Sequence, residues 1–219
     1  MSKVLICIPT IDKVDASFFS SVLGLKFDDG NQYAYSVASN SLVYDARGDF
    51  SVLAINGNYD YLVMLDSDLV FASDLITRLV SRIKETGADL VTGLYFRRRL
   101  PTGPLIVKSI DWYDDETLGP QQFVDDYVDY PRDDVFKIEG CGMGCVVISV
   151  EALKETAARF RMNPFTPLPR LSEDYSFCFR MKHLGKKMLC DSSIKPLHAG
   201  IHLYSEHDWN EQKEEQNHV

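Results

Sequence analysis

The sequence lacks an apolar run approaching the roughly 20 residues that span a bilayer. No leader precedes the first structured segment, because Met1-Ser-Lys-Val runs straight into a strand. Both absences imply a soluble, cytoplasmic protein with no transmembrane segment. The chain also lacks a basic stripe, and its formal charge is -9, so broad nucleic-acid binding is disfavoured. No disulfide framework is present: the five cysteines are an odd number, and Cys7, Cys145, Cys178 and Cys190 lie in apolar surroundings, as reduced core thiols do. Cys141 and Cys145, taken with His198 and His202, make only a weak zinc pattern. At 219 residues and 45% hydrophobic, the chain can bury a sizeable core without cross-links. Internal repeats are missing too.

The run Tyr61-Leu-Val-Met-Leu-Asp-Ser-Asp-Leu-Val-Phe71 stands out against these absences. An apolar stretch of strand length stops at Asp66 and Asp68. Alternation along an extended chain aims residues two apart the same way, so both carboxylates are expected to converge on one point. Two like charges held together call for a cation between them. A hard divalent ion, Mg²⁺ or Mn²⁺, carrying phosphate oxygens suits such a pair. The alternative is an acidic turn after a buried strand.

Lys3–Ile8, Gln32–Ala38, Asp60–Leu65 and Asp89–Phe96 read as strands. Between them, Asp15–Leu23, Ser41–Ala54 and a helix capped by Ser73 carry apolar residues at helical spacing. In the last of these Leu75, Ile76, Leu79, Val80 and Ile83 form the buried stripe, and Gly87 ends it. This alternation predicts an α/β fold with a mostly parallel central sheet and helices on both faces. Ligands bind such sheets at the carboxyl ends of the strands. Pro9-Thr10, Asp66-Ser67-Asp68 and Arg97-Arg98-Arg99 all lie just past strand ends and are expected on one edge. Residues 111–134 hold nine acids against the single base Arg132, with five aromatics among them. They read as an acidic insertion, either solvated or forming an acceptor lobe. Residues 1–204, this insertion included, read as one catalytic domain, and 205–219 as a polar, mobile tail.

Further chemistry-bearing residues follow the insertion. Gly140, Gly142 and Gly144 allow a close backbone approach or a bulge. A strand follows them and Gly-Lys-Ser/Thr does not, so they are no phosphate loop. Glu173 and Asp174 occupy the first turn of a helix capped by Ser172, where the dipole favours ionised carboxylates. One of them could act as a base toward a hydroxyl, although acids at helix starts also serve stability alone. At least one of Arg97, Arg98 and Arg99 could hold phosphate. His198, in Leu197-His-Ala-Gly200, is an acceptable ligand for Mn²⁺.

Taken in order, Pro9-Thr10, Arg47 on the helix before Asp66-Ser-Asp68, the Gly142-Met-Gly144 turn, Ser172-Glu-Asp174 and His198 resemble a GT-A fold glycosyltransferase close to family 2. The resemblance extends over about Lys3 to Tyr204. It implies a nucleotide-sugar donor, by default a UDP-sugar, and an acceptor bearing a hydroxyl. It further implies Mn²⁺ or Mg²⁺ held by Asp68, Asp66 and His198, with Asp66 nearer the ribose. Asp174 would be the base of an inverting displacement, with Glu173 beside it. Pro9, Thr10, Arg47, Ser67 and Arg97 would border the donor, and Gly142 and Gly144 the sugar or acceptor. One departure stands out. Tyr35-Ser-Val-Ala-Ser-Asn40 has no acid where family members often read uracil. A nucleotidyltransferase of related fold is the competing enzyme, but Pro9-Thr-Ile-Asp-Lys13 is not its glycine- and basic-rich loop. A non-catalytic sugar- or nucleotide-binding protein is the third reading.

Overall fold

The computed structural model describes residues 1–117, 119–200 and 205–217. The chain begins β1 (Ser2–Pro9), α1 (Ala16–Leu23), β2 (Asn31–Ala38), α2 (Val43–Asn56) and β3 (Tyr61–Leu65). Next come β4 (Leu69–Val70), α3 (Leu75–Thr86) and β5 (Leu90–Gly93), then β6 (Ile106–Asp115) and β7 (Gly119–Asp126). The rest is β8 (Val135–Lys137), β9 (Gly140–Cys141), β10 (Cys145–Ser149), α4 (Val150–Phe160), α5 (Glu173–His183), β11 (Met188–Asp191), β12 (Leu197–His198) and α6 (Glu206–Asn217). None of the described helices is long and apolar enough to cross a membrane.

Seven strands form the central sheet in the order β2-β1-β3-β10-β5-β11-β8. Five run in one direction, while β10 and β8 run against them. The apolar runs in β1 and β3 are continuous because both faces are covered. Leu5, Cys7, Leu62 and Met64 pack into the cluster that holds Phe50 of α2 and Leu153 of α4. Their neighbours Val4, Ile6, Val63 and Leu65 face Phe18 of α1 and the Leu75-Ile76-Leu79-Val80-Ile83 stripe of α3. One sequence pattern thus feeds two cores through the period of two.

Several local details differ from the sequence reading. The residue capping α3 is Asp74, not Ser73, and it makes no side-chain cap bond. Phe19 and Leu23 of α1 are exposed, because α1 covers the sheet with Phe18 alone fully buried. The acidic insertion is largely a hairpin: β6 pairs β7, and β9 adds a third strand. Its charges are matched from elsewhere, with Asp111 2.9 Å from Lys182, Asp129 3.0 Å from Lys213 and Asp133 3.1 Å from Lys195. The segment expected as a polar tail carries α6. Glu206 there accepts from Tyr130 Oη at 3.0 Å and pairs with Lys195 at 2.8 Å. All five cysteines are free and buried. His202, the fourth member of the weak zinc pattern, and Tyr204 lie outside the described residues.

At the end of β11, Asp191 is buried and accepts from Arg82 Nε at 2.8 Å and Ser193 N at 3.0 Å. Burial raises its pKa, but Ser193 and Arg82 outweigh that and leave it below the ordinary value. The carboxylate therefore stabilises the fold above its unfolded pKa, and this is lost as pH falls through the lower folded pKa. Asp191→Asn is expected to lower the unfolding free energy by about 1–3 kcal/mol at neutral pH. Urea unfolding across pH should show the difference shrink toward acid.

Candidate functional site

The site forms where β1, β2 and β3 end. Thr10 N donates to Ala38 O at 2.8 Å and Asn40 N to Ile11 O at 2.6 Å, which binds the exits of β1 and β2 together. A cleft of about 640 Å³ opens there, lined by Pro9, Thr10, Ile11, residues 40–43 and Asp66, Ser67 and Asp68. Leu42 and Val43 are exposed and give it an apolar wall. The Thr10 hydroxyl is already engaged, donating to the carbonyl of Lys13.

Asp66 and Asp68 do not alternate along a strand. β3 ends at Leu65, and Leu69 N donates back to Asp66 O at 3.3 Å, so Asp66-Ser67-Asp68 is a turn. The two carboxylates consequently have different partners. Asp66 Oδ1 takes Arg47 Nη2 at 2.9 Å, and Arg47 Nη1 also binds Glu173 Oε1. Arg47 is only 3% exposed and does not line the cleft that it was expected to border. Burial opposes its charge, but Asp66 and Glu173 outweigh that and keep it a cation. Glu173 is pushed upward by burial, with Arg47 pulling the other way.

Asp68 meets the other cations. Its Oδ2 binds Arg98 Nη1. The short β4–β12 pair sets His198 opposite Leu69, and Ala199 N donates to Asp68 O at 2.7 Å. His198 Nδ1 lies 2.9 Å from Phe96 O, and a carbonyl only accepts, so Nδ1 carries a proton. A neutral imidazole then turns its Nε2 lone pair toward Asp68 Oδ1, 3.3 Å away. That oxygen is buried and accepts no hydrogen bond among the described residues. Two electron-rich atoms so placed need a proton or a metal between them. Burial lowers the His198 pKa, but Asp68 and Phe96 outweigh it and the net direction is upward. Burial likewise raises Asp68, and His198 and Arg98 outweigh it, leaving its pKa low. A carboxylate oxygen beside an imidazole nitrogen fits Mn²⁺ or Mg²⁺. No group of three or more His, Cys, Asp or Glu side chains gathers around a metal position among the described residues. Among the described residues, Asp68 and His198 are the two side chains placed this way, while Asp66 pairs with Arg47.

A second cleft of about 510 Å³ adjoins this pair. Arg97, Arg98, Arg99, Leu105, Ser172, Asp174, Tyr175 and His198 line it. Asp174 Oδ1 is fixed by Ser172 Oγ and by Tyr175 N at 2.8 Å. Among the described residues, Asp174 Oδ2 has no hydrogen bond. Arg97 is tied to Asp126 of β7 and is not turned to Asp68. Gly142 and Gly144 are buried and line neither cleft. A Cβ on Gly144 would stand 2.6 Å from Asp66 Oδ2, and one on Gly142 2.4 Å from Tyr95 Oη. Gly144 N donates to Tyr95 Oη at 2.7 Å, and Asp66 N donates to Gly144 O at 2.9 Å. These glycines let β10 start against the end of β3. Tyr95 was missed in the sequence, where nothing distinguishes it from a core aromatic. Asn40–Val43 could have been found by the rule that places ligands beyond strand ends.

A family model described as Glycosyl transferase family 2 matches residues 28–156, more than half of the chain. The match takes in Arg47, Asp66 and Asp68 and ends before Asp174 and His198. A comparison with curated proteins finds no match. Among solved structures, the crystal structure of A197 from STIV matches with a TM-score of 0.61 at 20% identity, over 90% of this chain and 85% of that one. At that identity the likeness is one of fold.

The two arginines at the site should differ in energy. Arg47→Met leaves two enclosed carboxylates without their cation and is expected to destabilise by about 3–5 kcal/mol. Arg98 is half exposed, and Arg98→Ala is expected to change stability by about 1 kcal/mol or less. Urea unfolding of both variants tests the contrast.

Proposed function

The chain belongs to glycosyl transferase family 2: it is a glycosyltransferase that takes a sugar from a nucleotide-sugar donor to an acceptor, and we propose that it is a metal-dependent, inverting enzyme with Asp174 as base. One observation supports this most. Asp174, with one oxygen fixed and the other free, opens into the same cleft as His198 and Arg98, the two partners of Asp68. The donor's reactive end and a base thus share one space. Family membership selects this reading over the nucleotidyltransferase and over a protein without activity.

In this reading the nucleoside lies in the larger cleft. Pro9, Thr10 and Ser67 border it, and Leu42 and Val43 offer the base an apolar wall. A UDP-sugar is the default donor, although neutral Asn40 and Ser41 stand where an acid would read uracil. Asp68 and His198 would hold Mn²⁺ or Mg²⁺, which supplies positive charge for the leaving diphosphate. The acceptor hydroxyl enters the smaller cleft and donates to Asp174 Oδ2. Asp174 takes that proton as the oxygen attacks the anomeric carbon from the side opposite the diphosphate. The Ser172 and Tyr175 bonds to Oδ1 keep the carboxylate from rotating during the transfer. Glu173 is engaged with Arg47 and serves as support. The hairpin β6–β7 reaches the same cleft through the Asp126–Arg97 pair and forms the acceptor side. Residues 1–204 act as one catalytic domain, working in the cytoplasm.

Release of nucleoside diphosphate from a panel of nucleotide sugars, with and without Mn²⁺, tests the assignment. Asp68→Ala is expected to abolish metal-dependent release. Asp174→Asn is expected to lower transfer about 10²–10⁴-fold while donor binding persists. A product with retained anomeric configuration would overturn the role given to Asp174.

A further inference from the structure

Arg98 occupies an unusual position. It binds one oxygen of Asp68, while the other oxygen faces His198 Nε2 at 3.3 Å and accepts no hydrogen bond among the described residues. The segment 96–98 supplies both neighbours of Asp68, since Phe96 O fixes His198 and Arg98 reaches the carboxylate two residues on. The other two arginines of the run differ. Arg97 is held by Asp126, and Arg99 lines the cleft that holds Asp174. Arg98 is 50% exposed, so its side chain has room to move.

We propose that Arg98 is a two-position residue: without a cation it neutralises Asp68, and when a divalent cation arrives with the donor it transfers to the donor's diphosphate. This rests on the metal-dependent reading above. The physical reason is electrostatic. A cation between Asp68 Oδ1 and His198 Nε2 would stand beside a guanidinium on the same carboxylate, and like charges at that separation repel. Alone, the metal and Arg98 compete. The diphosphate that accompanies the metal offers the displaced guanidinium an anion, and planar Arg–phosphate pairing is among the stronger charge-assisted contacts. An exposed ion pair is weak enough to exchange, unlike the buried Arg47 pairs. Arg98 is therefore a binding residue for the leaving group as well as an occupant of the cation site.

The test measures binding, not turnover. Mn²⁺ binding to the full chain is followed by the EPR signal of the free ion, first without nucleotide. Binding of UDP, and of inorganic pyrophosphate as a base-independent probe, is then measured by calorimetry at saturating Mn²⁺. Arg98→Ala is expected to bind Mn²⁺ alone about three- to fivefold tighter, yet to bind the diphosphate probes about tenfold weaker. Arg98→Lys should fall between. A purely structural role would move both affinities in the same direction. The proposal is overturned if they do move together, or if Mn²⁺ binding without nucleotide is unchanged or weaker in Arg98→Ala. Failure of the underlying reading looks different: the wild-type protein would then bind neither Mn²⁺ nor the probes.

Discussion

The buried Arg47 guanidinium is the contact on which the site depends. It comes from α2 and joins Asp66, at the end of β3, to Glu173, at the start of α5. Each of those carboxylates lies close in sequence to a residue with a proposed chemical task, Asp68 on the donor side and Asp174 on the acceptor side. A charge this enclosed is unfavourable alone and unfavourable to separate from its partners. The arrangement therefore resists relative movement of the two halves, in the way that catalysis by positioning requires. Two carboxylates share the one cation, so the cluster keeps an excess negative charge under the site. Burial pushes Glu173 upward, and the negative charges of Asp174 and Asp66 add to that against the pull of Arg47.

The same contact explains what the sequence could and could not disclose. Apolar periodicity reports burial directly, so β1, β3 and the α3 stripe were legible, as was the family resemblance. Asp66 and Asp68 were legible as important residues but not as a geometry. The alternation argument assumes extended backbone, and the chain turns at Asp66 because β10 starts there in the antiparallel direction. Which arginine meets which acid was equally closed to inspection. Arg97, Arg98 and Arg99 are chemically identical, and only the placement of β7 and β4 sends Arg97 to Asp126 and Arg98 to Asp68. Gly142 and Gly144 suit either a close approach to a ligand or a bulge between two strands. They approach Tyr95 and Asp66 instead, which is the same need for a missing Cβ met by a different neighbour.

The acidic insertion shows how charge that looks surplus in sequence is used. Asp111, Asp126, Asp129 and Asp133 draw partners from α5, from the arginine run, from α6 and from the segment before β12. Most of these pairs are exposed and individually weak. Their effect is to fix direction: they hold the β6–β7 hairpin to α5 and the segment that follows it to α6 and to Lys195. The pair nearest the proposed chemistry, Arg97–Asp126, neutralises one of the three arginines that line the cleft holding Asp174.

Buried and exposed arginines thus divide two mechanical requirements. A transferase needs a rigid base-to-donor distance and a site that can still admit and release a dianionic leaving group. Rigidity comes from the guanidinium that water cannot reach, because separating its pairs is prohibitive. In the proposed exchange the guanidinium that water can reach is the one that moves, because solvent screens its pair and a better anion can replace it. Were the two exchanged, a buried Arg98 would hold Asp68 against any metal, and an exposed Arg47 would let α5 and β3 drift apart. The burial of each residue, more than its identity, is what suits it to its task.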